Sequence, residues 1–144
     1  GMAGGQAIDL ASVGKKLAPA ALQDMHARKT GALIHAAVRL GALTAEAPDT
    51  RLLTALDAYG HAVGLAFQIA DDVLDVEGET ATLGKQPGVD QARGKPTYAA
   101  LLGTEGAKAK AKALLDRALE SLAPLGDNGA VLAVLARYIV ERRQ

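Results

Sequence analysis

Arg51 to Val76 read RLLTALDAYGHAVGLAFQIADDVLDV, and this stretch decides the fold class. Its apolar and small residues recur at steps of three and four, which is the spacing of one face of an α-helix. They are Leu53, Leu56, Gly60, Val63, Phe67, Ala70 and Leu74. At 1.5 Å per residue such a helix is about 40 Å long. Because His61 is the only acidic or basic residue between Asp57 and Asp71, the helix is predicted to lie at the centre of a helical bundle.

The rest of the chain has helix signals and no strand pattern. Pro19 suits the first turn of a helix, which is predicted to run to about Leu40 and to end at Gly41, with a kink or a close approach at Gly31. Further helices are predicted from a Thr97 cap to Gly103, from Glu105 to Leu122, and from an Asp127 or Asn128 cap to about Arg142. The fold class is therefore all-α, with residues 1–144 in one domain.

Composition narrows the classes of function. The chain has 144 residues, with 16 Lys and Arg against 16 Asp and Glu, so its net charge is zero. A nucleic-acid-binding protein would show a basic excess, so no nucleic acid partner is expected. The absence of cysteine excludes disulfide and thiol chemistry. No apolar run reaches the ~18 residues of a membrane span, and a cytoplasmic location is expected.

Three carboxylates lie within five residues at the end of the long helix: Asp71, Asp72 and Asp75. They repel one another, and the C-terminal end of the helix dipole adds further negative charge. Oxygen ligands without His or Cys suit Mg²⁺, which binds one or two carboxylates together with water and phosphate oxygens. We therefore predict a magnesium site here. Gln68, one turn earlier, continues the polar face.

Two lysine-containing segments accompany the acidic one. Lys29-Thr30-Gly31 lies in the Pro19 helix, and a glycine-rich stretch from Val76 to Pro96 carries Lys85 and Lys95. Lysine holds phosphate as a point charge, and a long glycine-rich loop is suited to serve as a lid. His26, His35 and His61 are interpreted as structural residues that do not pair as metal ligands.

In this order, the segments resemble the C-terminal half of the trans-isoprenyl diphosphate synthase family, closest to its bacterial farnesyl diphosphate synthase (geranyltranstransferase) type. The resemblance covers essentially the whole chain. It is carried by Gly5-Gln6 with Asp9, Lys29-Thr30-Gly31, Phe67-Gln68-Ile69, Asp71-Asp72-Val73-Leu74-Asp75, Gly84-Lys85, Gly88 with Asp90, Lys95 with Thr97-Tyr98, and Tyr138-Ile139 with Glu141-Arg142.

The resemblance implies an isoprenoid-synthase helical bundle and a prenyltransferase. An allylic diphosphate, dimethylallyl or geranyl, would ionise with the help of Mg²⁺, and isopentenyl diphosphate would attack the carbocation to give farnesyl diphosphate. The implied metal ligands are Asp71, with Asp72 and Asp75 supporting it. The implied diphosphate-binding residues are Lys29, Lys85 and Lys95, and Thr30 and Gln68 would face the carbocation.

The resemblance also implies that the N-terminal half of the domain, with a first aspartate-rich motif, is absent from this sequence. The chain alone is therefore expected to be inactive, to expose an apolar groove, and to form a homodimer or associate with the missing half. Other readings stay open: a longer-chain polyprenyl synthase, a terpene cyclase, or a non-catalytic helical subunit of a partner synthase. Product length and the allylic substrate are not readable from these residues.

Overall fold

A computed structural model describes residues 1–44, 49–77 and 94–142, and in these ranges the regular structure is entirely helical. The α-helices are α1 (Met2–Ala11), α2 (Pro19–His26), α3 (Ala32–Leu43), α4 (Thr50–Glu77), α5 (Tyr98–Ser121) and α6 (Ala130–Glu141). A π-helical turn, Ala27–Gly31, joins α2 to α3, and a 3₁₀ segment, Ala123–Gly129, precedes α6. The all-α prediction is confirmed.

Helix α4 is the central element, as its apolar stripe predicted. It contributes to both clusters of buried side chains in the core. Near its C-terminal half it packs with α2 and α5 through Leu65, Ile69 and Val73. Near its middle it packs with α5 and α6 through Tyr59 and Val63. Because α4 packs in both clusters, the helices form a bundle with α4 at its centre.

Helix α4 runs antiparallel to the α2–α3 segment. Gly64 faces Gly31, and Gly60 faces His35. A Cβ atom added at Gly64 would lie 2.7 Å from the Cα atom of Gly31, so the two backbones meet where neither residue has a side chain. The predicted close approach at Gly31 is confirmed. The start of α2 therefore lies beside the acidic end of α4.

The boundaries of α4 and α5 follow the sequence closely. Thr97 caps α5, because its Oγ1 accepts a hydrogen bond from the backbone N–H of Ala100 at 3.1 Å. The expected break at Gly103 is confirmed, because its φ of +72° and ψ of 164° are not helical and divide α5 into two helical parts. The cap predicted for α6 is wrong, since the N-cap residue is Gly129 and no side chain caps the helix. The 3₁₀ segment holds Asp127 and Asn128 instead.

No helix in the described ranges is long and apolar enough to cross a membrane.

Candidate functional site

The π-helical turn presents Lys29 and Thr30 toward different neighbours. On one side α1 crosses the turn at Gly5, where an added Cβ atom would lie 2.1 Å from the backbone nitrogen of Lys29. This contact brings Asp9 of α1 to the lysine, and Lys29 Nζ donates to Asp9 Oδ2 at 2.6 Å. Asp9 is buried, and a buried carboxylate needs such a partner. The ammonium group is held in place before any ligand arrives.

On its other side the turn joins a chain of hydrogen bonds that runs along α4. Thr30 Oγ1 donates to Gln68 Oε1 at 3.0 Å, and Gln68 Nε2 donates to Asp72 Oδ1 at 3.1 Å. The other Asp72 oxygen, Oδ2, accepts from the backbone N–H of Tyr98 at 2.8 Å. The structure thus brings Thr30, Gln68 and Asp72 together, as one continuous network.

Asp72 differs from its two acidic neighbours. Its side chain is only 3% exposed, and both carboxylate oxygens accept hydrogen bonds from the protein. One of these donors lies in the first turn of α5, where the helix dipole stabilises an anion. In this structure Asp72 therefore links α4 to α5, which is a structural role that its sequence position beside Asp71 did not reveal.

Asp71 is turned to the outside of α4. Its side chain is 59% exposed, and Arg142 Nη2 lies 3.5 Å from Asp71 Oδ1. The Arg142 guanidinium group also lies 4.7 Å from the centre of the Phe67 ring, which positions it along this face. The sequence gives no signal for the Arg142–Asp71 pair, because the two residues are far apart in the chain.

Asp75 is half-buried and lines a cavity of about 200 Å³ with Thr97, Gly103 and Thr104. It shares a helical face with Asp71, one turn away. Throughout residues 1–44, 49–77 and 94–142, no three His, Asp or Glu side chains are arranged to hold a metal ion. What this end of α4 offers Mg²⁺ is the exposed Asp71 carboxylate, with Asp75 beside it. Such a set suits an ion that takes its remaining ligands from water and phosphate.

His26 occupies the buried space between Asp72 and Tyr98. Its Nε2 atom is 3.6 Å from Asp72 Oδ2, and its ring is stacked on that of Tyr98 at 5.6 Å between centroids. Neither ring nitrogen has a hydrogen-bond partner in the described structure. Burial lowers the pKa of His26 to about 4, with a further lowering by the positive charge of Lys29. The imidazole is neutral at physiological pH.

His35 and His61 contact each other, which their positions in the sequence did not reveal. Their rings stack with centroids 4.2 Å apart, because the crossing of α3 and α4 at Gly60 brings them together. His35 Nε2 also lies 2.7 Å from Asp57 Oδ1, and Arg39 donates to the other oxygen of Asp57. This cluster ties α3 to α4 and lies one to two turns from Thr30 along the helix.

The predicted lysines are placed in different ways. Lys29 precedes Thr30 in the π-helical turn, and its ammonium group is paired with Asp9 of α1. Lys95 lines a second, larger cavity beside Lys15 and Lys16. Lys85 and most of the glycine-rich stretch predicted as a lid fall outside the described residues.

Comparisons with known proteins agree with the fold and with the motifs. The sequence pattern of the polyprenyl synthetase family matches residues 1–132. Farnesyl diphosphate synthase of Escherichia coli (strain K12) is 52% identical over 147 residues, which cover 100% of this chain and 49% of that protein. The apo crystal structure of an FPP/GFPP synthase from Zymomonas mobilis is 37% identical, with a TM-score of 0.81 over 96% of this chain and 45% of that one.

A more distant structure has the same arrangement of helices. Heptaprenyl diphosphate synthase of Staphylococcus aureus is 23% identical, with a TM-score of 0.93 over 99% of this chain and 57% of that one. At this identity the likeness concerns the fold alone. The chain spans about half the length of the curated relatives that it matches, 49% in the Escherichia coli case.

Proposed function

The chain belongs to the polyprenyl synthetase family, and we propose that it forms the C-terminal portion of a single all-α prenyltransferase domain. The reaction proposed is condensation of an allylic diphosphate with isopentenyl diphosphate to give farnesyl diphosphate. One observation carries the proposal. The Thr30–Gln68 hydrogen bond of 3.0 Å joins the turn that carries Lys29 to the helix that ends in the aspartates. An ionising diphosphate needs a cationic side chain and metal-binding carboxylates close together.

The leaving diphosphate is proposed to bind at Lys29, with Lys85 and Lys95 as further cations. Lys29 is suited to this role because Asp9 holds its ammonium group in one place. A cation that is already positioned loses little conformational entropy on binding, so more of its interaction energy stabilises the developing charge.

Mg²⁺ is proposed to bind at Asp71 with Asp75 in support, and it would neutralise charge on the departing diphosphate. Asp71 is accessible for this role, whereas the oxygens of Asp72 are both engaged within the fold. Two of the three predicted aspartates, Asp71 and Asp75, are therefore proposed as metal ligands. Asp72 would act as a positioning residue that orients Gln68.

Thr30 and Gln68 are proposed to face the allylic cation. The hydroxyl proton of Thr30 is donated to Gln68, so the lone pairs of the Thr30 oxygen point elsewhere. An oxygen with its lone pairs directed at a carbocation stabilises it as a fixed dipole, without forming a covalent bond. Departure of diphosphate generates the cation, and the double bond of isopentenyl diphosphate forms the new carbon–carbon bond. Transfer of a proton from the resulting cation to the departed diphosphate restores the alkene.

Binding of inorganic diphosphate tests the proposed site directly. Calorimetry with the 144-residue chain should show binding that requires Mg²⁺ and that Asp71→Ala weakens at least tenfold. Asp116→Ala is the matched control, because it removes an exposed aspartate from α5, on another part of the surface. Equal binding by both variants would contradict the metal assignment, whereas absence of any Mg²⁺-dependent binding by the wild-type chain would favour a non-catalytic helical subunit.

Product formation tests the domain assignment. We expect no isopentenyl transfer by the purified 144-residue chain with geranyl diphosphate and Mg²⁺, because the chain spans about half the length of its relatives. Radiolabelled farnesyl product from the chain alone would contradict this expectation. The product length is a separate question, since the relatives named above include a farnesyl diphosphate synthase and an FPP/GFPP synthase.

A further inference from the structure

Arg142 adjoins the proposed metal site, but the proposed function leaves it without a role. It directly follows α6, and its backbone N–H donates to the carbonyl oxygen of Tyr138 at 3.0 Å. Its Nη2 atom lies 3.5 Å from Asp71 Oδ1. Since Asp71 is the carboxylate proposed to bind Mg²⁺, a positive charge of the protein already lies beside the place that the metal ion would take.

Two contacts hold the guanidinium group of Arg142 in this position. It lies 4.7 Å from the centre of the Phe67 ring, a distance at which the face of an aromatic ring attracts a cation. Helix α6 is fastened to α4 by the hydroxyl group of Tyr59, which donates to the carbonyl oxygen of Leu132 at 2.7 Å. The Arg142 side chain is only 19% exposed, and arginine keeps its charge at every physiological pH.

The ion pair with Asp71 does not explain this placement through stability. An ion pair with an exposed partner contributes little to folding, and the Asp71 side chain is 59% exposed. The Nε atom of Arg142 is buried and has no hydrogen-bond partner in the part of the chain that the structure describes, which costs free energy. A role at the Asp71 carboxylate explains the placement better.

The charge of Arg142 acts in opposite ways on a free metal ion and on a metal ion that carries diphosphate. Two cations beside one carboxylate repel each other, so the guanidinium group disfavours a free divalent ion at Asp71. Diphosphate has more negative charge than one divalent ion neutralises, so their complex is an anion. The same guanidinium group attracts that complex, because arginine matches the geometry of phosphate oxygens.

We propose that Arg142 makes divalent metal binding at Asp71 depend on diphosphate, by repelling the free ion and attracting the complex of the ion with diphosphate. The inference rests on the proposed function, which places both ligands at this carboxylate. Arg142 is then a specificity-determining residue of the metal site. It disfavours metal binding before the diphosphate arrives, so that the two ligands bind together.

Two binding measurements on the 144-residue chain test the proposal without any turnover. The first is the affinity for Mn²⁺ alone, obtained from the electron paramagnetic resonance signal of the free ion, since Mn²⁺ takes the same oxygen ligands as Mg²⁺. Arg142→Gln should bind Mn²⁺ roughly fivefold more tightly than the wild type, because the repelling charge is gone. The second is calorimetry of inorganic diphosphate with Mg²⁺, in which Arg142→Gln should bind roughly threefold more weakly.

Arg137→Gln is the matched control, because it removes the same charge from an exposed position on the same helix. It should leave both affinities near their wild-type values. A variant that merely loosened α6 would lose affinity in both measurements, so shifts in opposite directions identify the effect of charge. Arg142→Lys keeps the charge but not the planar guanidinium group, and its two affinities should lie between those of the wild type and Arg142→Gln.

Equal Mn²⁺ affinities of Arg142→Gln and Arg137→Gln would overturn the proposal, and so would weaker Mn²⁺ binding by Arg142→Gln. Asp71→Ala separates this failure from a failure of the proposed function. If diphosphate binding requires Mg²⁺ and Asp71 while Arg142→Gln gains no Mn²⁺ affinity, the proposed function stands and the role of Arg142 is wrong. If the wild-type chain has no diphosphate binding that depends on Mg²⁺ and Asp71, both are contradicted.

Discussion

At the scale of single residues, neighbouring aspartates have opposite surroundings. Asp72 is buried and accepts hydrogen bonds from Gln68 and from the backbone of Tyr98. Asp71 is exposed and faces Arg142. Successive residues of a helix point about 100° apart, so only one of the two can face α5. The contrast predicts different consequences of the same substitution.

Asp72→Asn should lower the free energy of unfolding by about 1–3 kcal/mol, because an amide nitrogen then faces a donor that needs an acceptor. Asp71→Asn should change it by less than about 0.5 kcal/mol, as is usual for exposed positions. Urea denaturation measures both values. Equal losses for the two variants would contradict the structural role assigned to Asp72.

His26 predicts a pH dependence of stability. Its folded-state pKa, about 4, is below the ordinary value of ~6.5, so between these two pH values the unfolded chain binds a proton that the folded chain does not. Stability should therefore be full above about pH 7 and fall as the pH is lowered toward 4. From pH 7 to pH 5 the loss due to this residue is about 2 kcal/mol.

The measurement is urea denaturation at both pH values for the wild type and for His26→Gln, which does not titrate. The charged groups facing His26 are Lys29 on the adjoining turn, Asp9 on α1 and Asp72 on α4, and all remain in the variant. A pH dependence that is the same in both proteins would show that His26 does not cause it.

At the scale of elements, the contact of α1 with the π-helical turn sets the position of Lys29. Gly5 permits it, since an added Cβ atom would lie 2.1 Å from the Lys29 nitrogen and 2.4 Å from its Cα atom. Both are backbone atoms, which cannot move aside as a flexible side chain can. The Asp9–Lys29 pair depends on this close approach.

Gly5→Ala should therefore destabilise the protein by about 1–3 kcal/mol through overpacking, and it should weaken diphosphate binding by displacing Lys29. Gly4→Ala is the control, because Gly4 is the preceding residue of the same helix and has nothing within 4 Å of an added Cβ atom. It should raise stability by about 0.5–1 kcal/mol through the better helix propensity of alanine. Thermal unfolding of the two variants should shift in opposite directions.

The sequence predicted the helices better than it predicted their ends. The apolar stripe of α4 placed that helix at Arg51–Val76, and it is observed at Thr50–Glu77. Periodicity is a local property of the chain, so this prediction needed no tertiary information. The prediction of an Asp127 or Asn128 cap for α6 was wrong because both residues lie within a 3₁₀ segment. Nothing in the local sequence distinguishes that segment from the start of a capped helix.

The candidate site was only partly predictable. Spacing placed Gln68 and the aspartates on one helix, but it could not tell which aspartate α5 would bury. The expected repulsion among the carboxylates is relieved in part within the chain, by Arg142 at Asp71 and by the start of α5 at Asp72. These partners come from distant segments, so local sequence analysis had no means of finding them.

At the scale of the whole molecule, the structure leaves large apolar side chains uncovered. On α6 a stripe at steps of three and four has Val131 78%, Val134 68%, Leu135 47% and Tyr138 64% exposed. On α3, Leu33 and Leu40 are each 64% exposed. Exposed apolar side chains of this kind favour association, and the apolar groove expected from the sequence stays a prediction.

Sedimentation of the 144-residue chain should therefore show an average mass that rises with protein concentration. Val131→Glu/Val134→Glu should lower that mass by placing charge in the contact, whereas Lys112→Glu/Arg117→Glu on α5 should not. Monomeric wild-type protein at all concentrations would contradict the prediction.

The π-helical turn at Ala27–Gly31 makes the length of the chain critical at this point. It encloses one residue more in each hydrogen-bonded ring than an α-helix does, so deleting Ala27 would let α2 continue smoothly into α3. The two helices would then rotate by about 100° relative to each other. Either Leu22 and Met25 would leave the core, or His35 would leave its place against Gly60. A chain without Ala27 would keep every proposed functional side chain. It would still lose the relative rotation of α2 and α3 that places those side chains at a common site.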